Sequence, residues 1–194
     1  MTSVLEGLRL RRLGWKQARE EGFTLIELLV VLLIIGILLA IAIPTFLSVT
    51  ATANTTSAQA NLETALTGVN TFYASNGQSY SGIYGGTGVS TITALDTGLS
   101  FVSGSASVKS NTVSINANGA AGWVILAAWA PTTRDCWVVL DQKVTQALSV
   151  AYNASLGAGT YYGVIRFTTT SSCVASSTIA VQASTWTQAG FPHG

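Results

Sequence analysis

Glu27 is the residue in this sequence with the most distinctive chemical setting. It is a lone carboxylate at the start of an apolar run, 28–43, that contains no charged side chain. An ionised glutamate costs roughly 2.5–3.5 kcal/mol at the centre of a membrane helix and less near its edge. Inside a dry bundle of helices such a carboxylate can neutralise a cation, whereas an unpaired one is costly to bury. Glu27 is therefore a candidate ion-pairing residue.

Few residues elsewhere are suited to catalysis. The single histidine, His193, lies one residue from the end of the sequence. The run 85–88 (Gly-Gly-Thr-Gly) is followed by neither a lysine nor a helix pattern, so it predicts a loop rather than a phosphate-binding motif. Asp135 and Asp141 bracket a predicted strand and could supply oxygen ligands to Ca²⁺, although two isolated acids are more often solvated turn residues. The sequence therefore predicts a protein that is not an enzyme, with no cofactor and no metal site.

Cys136 and Cys173 are the only two cysteines. Both follow the apolar run, in the part of the chain predicted to face outward, where thiols oxidise. Metal binding is the competing use of two cysteines, but no histidine or second cysteine pair stands near either one. We therefore expect a disulfide, which would close a loop of roughly 38 residues and contribute about 3–4 kcal/mol in the chain-entropy model.

Two segments position Glu27: a leader before it and an apolar helix after it. The leader, 1–22, has more basic than acidic residues, which predicts that this end stays in the cytoplasm. As a helix, residues 23–47 would span roughly 37 Å, enough to cross a hydrocarbon layer of about 30 Å. Gly36 is a poor helix former and Pro44 removes a helical hydrogen bond, so we expect a bend or a weak length of helix between them.

The helix is predicted to continue to about residue 74 as an amphipathic segment. Its apolar residues recur at spacings of three and four: Ala58, Leu62, Ala65, Leu66, Val69, Phe72 and Tyr73. Asn76-Gly77 ends it, because these residues tolerate positive φ. The glycine-rich segment 77–108 then predicts a loop region.

Strand patterns occupy the rest of the sequence. Alternation of apolar residues over 113–117, the turn pair Asn118-Gly119 and a return strand Trp123–Trp129 predict a hairpin. Further strands are predicted at Cys136–Asp141, Tyr161–Thr169 and Thr178–Ala183. Four tryptophans are assigned to the core or a sheet face: Trp123, Trp129, Trp137 and Trp186. The predicted fold class is α+β, with a long N-terminal helix packed on a head of four or five antiparallel strands.

Residues 16–50 resemble the type IV prepilin family, whose members include pilins and the pseudopilins of secretion systems. The resemblance lies in the basic leader, the Gly22-Phe23 junction, the acid at Glu27 and the apolar helix that follows. It implies the pilin fold, cleavage after Gly22 by a prepilin peptidase, and N-methylation of the new terminus at Phe23. Pro44 stands where related helices carry a kink-forming proline. The implied divisions are a cleaved leader (1–22), a hydrophobic helix (23–50) and a globular head (51–194).

In this family setting Glu27 has two interpretations, which are compatible. It is a recognition residue for the peptidase, or it pairs with the ammonium that cleavage creates on Phe23 of a neighbouring subunit. A partner that fits in one axial register would turn the cost of an unpaired carboxylate into a check on assembly.

The resemblance implies a structural subunit of a bacterial type IV pilus, used for adhesion, motility or DNA uptake. Its implied partners are copies of itself, the peptidase, and a pilus assembly platform with its ATPase motor. It would be held in the inner membrane by a single span and then assembled on the cell surface. A pseudopilin of a type II secretion or competence system is the main alternative, and a surface adhesin with a pilin anchor is another.

Two simpler interpretations of the apolar segment remain. Ala51-Thr52-Ala53 has the spacing that signal peptidase prefers, as in an ordinary secretory signal. Against it stand Glu27 and a leader of more than twenty residues. A plain transmembrane anchor is the other possibility, and the pilin interpretation already includes that state.

Charge limits the choice of partners. After Gly22 the sequence contains only four arginine and lysine residues: Lys109, Arg134, Lys143 and Arg166. Binding a polyanion requires the neutralisation of many phosphates. The sequence therefore gives no strong signal for nucleic-acid binding.

Overall fold

The structure, a computed structural model, describes residues 22–83, 92, 98–144, 156–167, 173–176 and 186–192. The chain forms two compact units, Met1–Pro44 and Thr45–Gly194. Several sequence predictions lie outside the described residues: leader residues 1–21, the glycine run 85–88, the strand Thr178–Ala183, and His193.

One helix, α1, runs from Leu25 to Ser75 and has 51 residues. Its bounds lie within two residues of the predicted 23–74. Pro44 lies inside it, so the helix continues through the proline, and the bend between Gly36 and Pro44 stays a prediction. At the C-terminal end Gly77 adopts a left-handed φ of 62°, and the Gln78 amide donates to the Tyr73 carbonyl at 3.0 Å. This is the usual way in which a glycine after a helix satisfies its last carbonyls.

The second half of α1 packs on a sheet through the predicted stripe. Its buried residues are Ala58, Leu62, Ala65, Val69 and Phe72. Leu66 and Tyr73 are partly buried against the same core. The stripe is confirmed, because residues at this spacing share one side of a helix.

The sheet has five strands in the spatial order β1-β2-β3-β4-β5. Their bounds are Ser100–Ser103 (β1), Thr112–Asn118 (β2), Trp123–Ala130 (β3), Asp135–Gln142 (β4) and Gly159–Arg166 (β5). The strands β2 to β5 pair antiparallel, as predicted. The fold is α+β, the pilin fold.

Two predictions were wrong at strand β1. It lies inside the segment predicted to be a loop, and it pairs parallel to β2 rather than antiparallel. Of its four residues only Phe101 is buried, so the strand is too short to show the alternation that reveals a strand in sequence. The connection back to β2 is held by Ser107, whose hydroxyl accepts the Trp129 amide at 2.8 Å and donates to the Thr112 carbonyl at 2.5 Å.

Both faces of the sheet are covered. We define the helix-facing core as the cluster that joins the α1 stripe to Val113, Leu126 and Trp137. The outer core is the cluster on the opposite face, which includes Trp123 and Val138. Strand β4 is consequently buried at all eight positions. The four tryptophans lie where predicted, with Trp137 in the helix-facing core and the others in or against the outer core.

The disulfide Cys136–Cys173 lies in the outer core and confirms the predicted pairing, with Cα atoms 5.4 Å apart. Next to it the Ser107 amide donates to the Cys173 carbonyl at 2.9 Å, and the Ala175 amide donates to the Ser114 hydroxyl at 2.9 Å. These bonds fix residues 173–176 against the outer face of the sheet.

The turn between β2 and β3 departs from the predicted two-residue loop. Asn118 pairs with Trp123, which leaves four residues in the turn, and the Asn118 side chain accepts the Ala121 amide at 2.9 Å. Gly119 is needed for a close approach rather than for a positive φ. A Cβ on it would overlap the backbone nitrogen and Cα of Ser81, in the loop that follows α1.

We expect Gly119→Ala to lower the free energy of unfolding by about 1–3 kcal/mol, because the loop containing Ser81 must move to admit the methyl group. Gly68→Ala is the matched control: no atom lies within 4 Å of the Cβ it would add, and it stands inside a helix. That change should stabilise the protein by about 0.5–1 kcal/mol. Urea unfolding of the full-length chain in detergent, followed by tryptophan fluorescence, measures both. Equal effects at the two positions would contradict the close-approach explanation.

Candidate assembly site

A capping box at the start of α1 positions the Glu27 carboxylate. Thr24 precedes the first helical residue, and its hydroxyl accepts the Glu27 amide at 3.3 Å. In return, Glu27 Oε2 accepts the Thr24 amide at 2.9 Å and the Thr24 hydroxyl at 2.7 Å. The two residues thereby satisfy each other's backbone donors at the point where a helix has none of its own.

This cap holds a negative charge where the helix favours one. The N-terminal end of a helix carries a partial positive charge that stabilises carboxylates in the first turn. Both Thr24 bonds end on Oε2, and within the described part of the chain Oε1 receives no hydrogen bond. Glu27 is therefore oriented and partly compensated, with one oxygen available to a donor from outside the chain.

The capping box could have been found in the sequence. Thr24-x-x-Glu27 matches the S/T-x-x-E pattern of a helix start and precedes an apolar run. The charge of Glu27 does not by itself indicate this partner, so the capping role of Thr24 was missed. The ion-pairing role of Glu27 stays a prediction.

The helical surface around this site is apolar and exposed. Phe23 is 87% exposed. The most apolar 18-residue window of α1 has a mean hydropathy of 3.2, with none of its residues buried within the chain. By length and composition α1 can cross a membrane. Leaving a large apolar side chain in water rather than burying it costs about 1.5–3 kcal/mol, so lipid or other apolar helices must cover this surface.

Glycine at the two predicted functional positions is not required by packing against the described residues. A Cβ added to Gly22 or to Gly36 would have no atom within 4 Å. The φ angles of both lie outside the left-handed region. Any requirement for a small residue at Gly22 therefore comes from a molecule that acts on the chain.

Comparisons with known proteins identify this N-terminal region. A family model described as the prokaryotic N-terminal methylation motif matches residues 17–43. By this region the chain is similar to type IV pilins and prepilins. Two relatives agree, each over 56 residues that make up 29% of this chain. Identity is 50% with the type IV narrow pilus major component PilA5 of Thermus thermophilus, and 46% with the type IV major pilin protein PilA of Myxococcus xanthus.

The similarity is confined to part of each protein. The matched stretch covers 45% of the Thermus thermophilus pilin component and 26% of the Myxococcus xanthus pilin. No solved structure matches the chain significantly.

In the head, Asp135 and Asp141 are not the solvated turn residues that the sequence led us to expect. Both lie within β4, and both are buried, at 8% and 2% exposure. Asp135 has one ion pair, to the Arg166 guanidinium at 3.7 Å. Among the described residues no group of three histidine, cysteine, aspartate or glutamate side chains is placed to hold a metal ion.

Asp141 is the centre of a buried polar cluster in the pilin head. It accepts hydrogen bonds from the Tyr80 hydroxyl at 2.5 Å and the Thr160 hydroxyl at 3.1 Å, and pairs with the Lys143 ammonium at 2.8 Å. Lys143 also donates to the Asn70 side chain at 2.8 Å. The cluster thus ties the end of α1 and the loop after it to β4 and β5. Burial, together with the bond to Asp141, raises the pKa of Tyr80 well above its usual range.

Proposed function

We propose that this protein is a structural subunit of a bacterial type IV pilus, polymerised through its N-terminal helix. The observation that carries the proposal is the apolar first half of α1, which none of the described residues covers, with a capped carboxylate at its start. The two relatives are named as pilus components, which supports the same function. Copies of the chain are the partner that such a helix fits, because each helix would cover the apolar surface of another.

We propose that a prepilin peptidase removes the leader, 1–22, after Gly22 and that Phe23 is then N-methylated. The open surroundings of Gly22 support this step, since a small residue there is not required by the fold. The methylation-motif match over 17–43 supports it too. A pilus assembly platform and its ATPase motor are the further partners that the family implies.

In the assembled filament, the ammonium on Phe23 of one subunit would pair with Glu27 of another. The cap supports this pairing because it orients the carboxylate through Oε2 and leaves Oε1 accessible. Since the N-terminal amine does not exist before cleavage, unprocessed chains would lack the partner for Glu27. Assembly would thereby be restricted to mature subunits.

The subunit is proposed to occupy two locations, first as a membrane-bound precursor and then as part of the filament. Residues 23–50 hold the precursor in the inner membrane with a single span and then form the filament core, while 51–194 form the head on the cell surface. A bend between Gly36 and Pro44 would help neighbouring helices to pack, because that stretch combines a weak helix former with a missing hydrogen bond.

Electron microscopy of the native host, with the gene intact and deleted, tests the pilus function. We expect surface filaments that disappear on deletion and return when the gene is supplied on a plasmid. The alternative is a pseudopilin of a type II secretion or competence system. Normal filaments after deletion, combined with lost exoenzyme secretion or lost transformation, would favour that alternative and overturn the proposal.

A further inference from the structure

The charges of the head are few, and four of its charged residues form two ion pairs within the described part of the chain. Lys143 lies 2.8 Å from Asp141, and Arg166 lies 3.7 Å from Asp135. Glu63 and Lys109 are both exposed and have no ion-pair partner in the described part of the chain. Glu63 and Lys109 are thus an acid and a base, among the described residues of the head, that are available to another molecule.

The two available charges lie on opposite flanks of the head. The loop that carries Lys109 joins β1 to β2, and its Ser110 carbonyl accepts the Asn61 side chain of α1 at 2.9 Å. Glu63 stands two residues further along α1, roughly 200° around the helix axis from Asn61. It therefore lies on the flank that faces the β5 end of the sheet.

An electrostatic effect supports this position of Glu63. Burial raises the pKa of Tyr162 in β5, and the charge of Glu63 raises it further, followed by that of Asp141. A charge acts strongly only over short distances in water. This agrees with the helix geometry, which places Glu63 on the β5 side of α1, while Lys109 lies in the loop that joins β1 to β2, at the other end of the sheet.

The helix surface beside Glu63 is suited to burial. Two exposed threonines near it donate their hydroxyls back to carbonyls one turn earlier: Thr67 to Glu63 at 3.0 Å and Thr71 to Thr67 at 2.9 Å. Such hydroxyls are already satisfied. Covering this surface with another protein would therefore leave no unpaired polar group on these side chains.

We propose that this flank is an interface with a second copy of the chain, in which Glu63 of one subunit pairs with Lys109 of the next. This inference rests on the proposed pilus function and adds a contact between heads. The two partner surfaces differ, so the contact is heterologous and repeats without closing, which generates an open helical filament rather than a dimer. Its role is to fix the register of the heads, since an exposed ion pair contributes little cohesion by itself.

Charge reversal in cells tests the pair in the full-length chain. We expect Glu63→Lys and Lys109→Glu each to lower the yield of sheared pili by at least about threefold, because each places two like charges at the contact. The double variant Glu63→Lys/Lys109→Glu should restore the yield. Membrane levels and the Cys136–Cys173 disulfide are measured in the same cells, and the milder Glu63→Gln and Lys109→Gln should show smaller losses.

Crosslinking separates this contact from others. Glu63→Cys/Lys109→Cys, treated on intact cells with a short bis-maleimide, should give a ladder of dimers, trimers and longer chains. Each single cysteine variant should stay monomeric. Dimers from Glu63→Cys alone, unchanged yields in both single reversals, or a double variant that fails to recover would each overturn the proposed contact. Filaments from the parent chain in the same experiment would leave the pilus function intact, whereas their absence would count against the function itself.

Discussion

Replacing Glu27 by glutamine should abolish pili while leaving the protein made, inserted in the membrane and folded. Glutamine keeps the size of the side chain and can serve in a capping box, so the bonds with Thr24 are retained. It cannot neutralise the ammonium of Phe23. An unpaired ammonium in a dry helix bundle would cost several kcal/mol per subunit, and that cost recurs along the filament.

The measurement is the yield of sheared pili, with processing checked by the mass of the membrane-bound chain. Thr24→Ala is the matched control, since it keeps the charge of Glu27 and removes the cap. Losing a cap costs about 1 kcal/mol, so Thr24→Ala should reduce the number of pili and not eliminate them. A Glu27→Gln chain that is cleaved after Gly22 and still forms pili in normal numbers would show that charge pairing is not the role of this residue.

Local patterns in the sequence were enough to predict most of the fold. The α1 stripe, the strands β2 to β5 and the disulfide all follow from spacing, alternation and composition, because each feature repeats over several residues. Strand β1 was missed because it is four residues long and its pairing with β2 is fixed by tertiary contacts such as that of Ser107 with Trp129. Sequence periodicity indicates local secondary structure and does not reveal such tertiary contacts.

The surroundings of the two acids of β4 also could not be predicted from local sequence patterns. Asp135 and Asp141 look equivalent in sequence, yet one has a single long ion pair and the other has three partners. Tyr80 and Thr160 reach Asp141 from elements that are 61 and 19 residues away along the chain. Only the fold brings these groups together, which is why the expectation of solvated turn residues was wrong.

Asp141→Ala should therefore destabilise the head far more than Asp135→Ala does. The change removes the closer acceptor of the Tyr80 hydroxyl, which keeps a 3.4 Å bond to the Asn70 side chain, and it leaves Thr160 without its acceptor and Lys143 without its counter-ion. Removing one partner of a buried charge pair costs about 3–5 kcal/mol; the value here should lie at the lower end, because the Lys143 side chain is 29% exposed. Asp135 is the matched control, since its only ion pair among the described residues is with an arginine that is 64% exposed, and such pairs contribute at most about 1 kcal/mol.

The pH dependence of stability gives this cluster a second signature. Because the pKa of Tyr80 is raised on folding, chiefly by burial and then by Asp141, the folded chain favours the neutral phenol. That contribution is fully present below about pH 10, the usual pKa of tyrosine, and is lost as the pH rises towards the folded value. The free energy of unfolding, measured with urea between pH 7 and 11, should fall above pH 10 with a slope that approaches about 1.4 kcal/mol per pH unit. In Tyr80→Phe this part of the slope should vanish. The part due to Tyr162 should remain, because burial raises the pKa of Tyr162 as well. Identical alkaline slopes in the parent and Tyr80→Phe would mean that the phenol is not held neutral beside Asp141, and the large effect expected for Asp141→Ala would lose its physical basis.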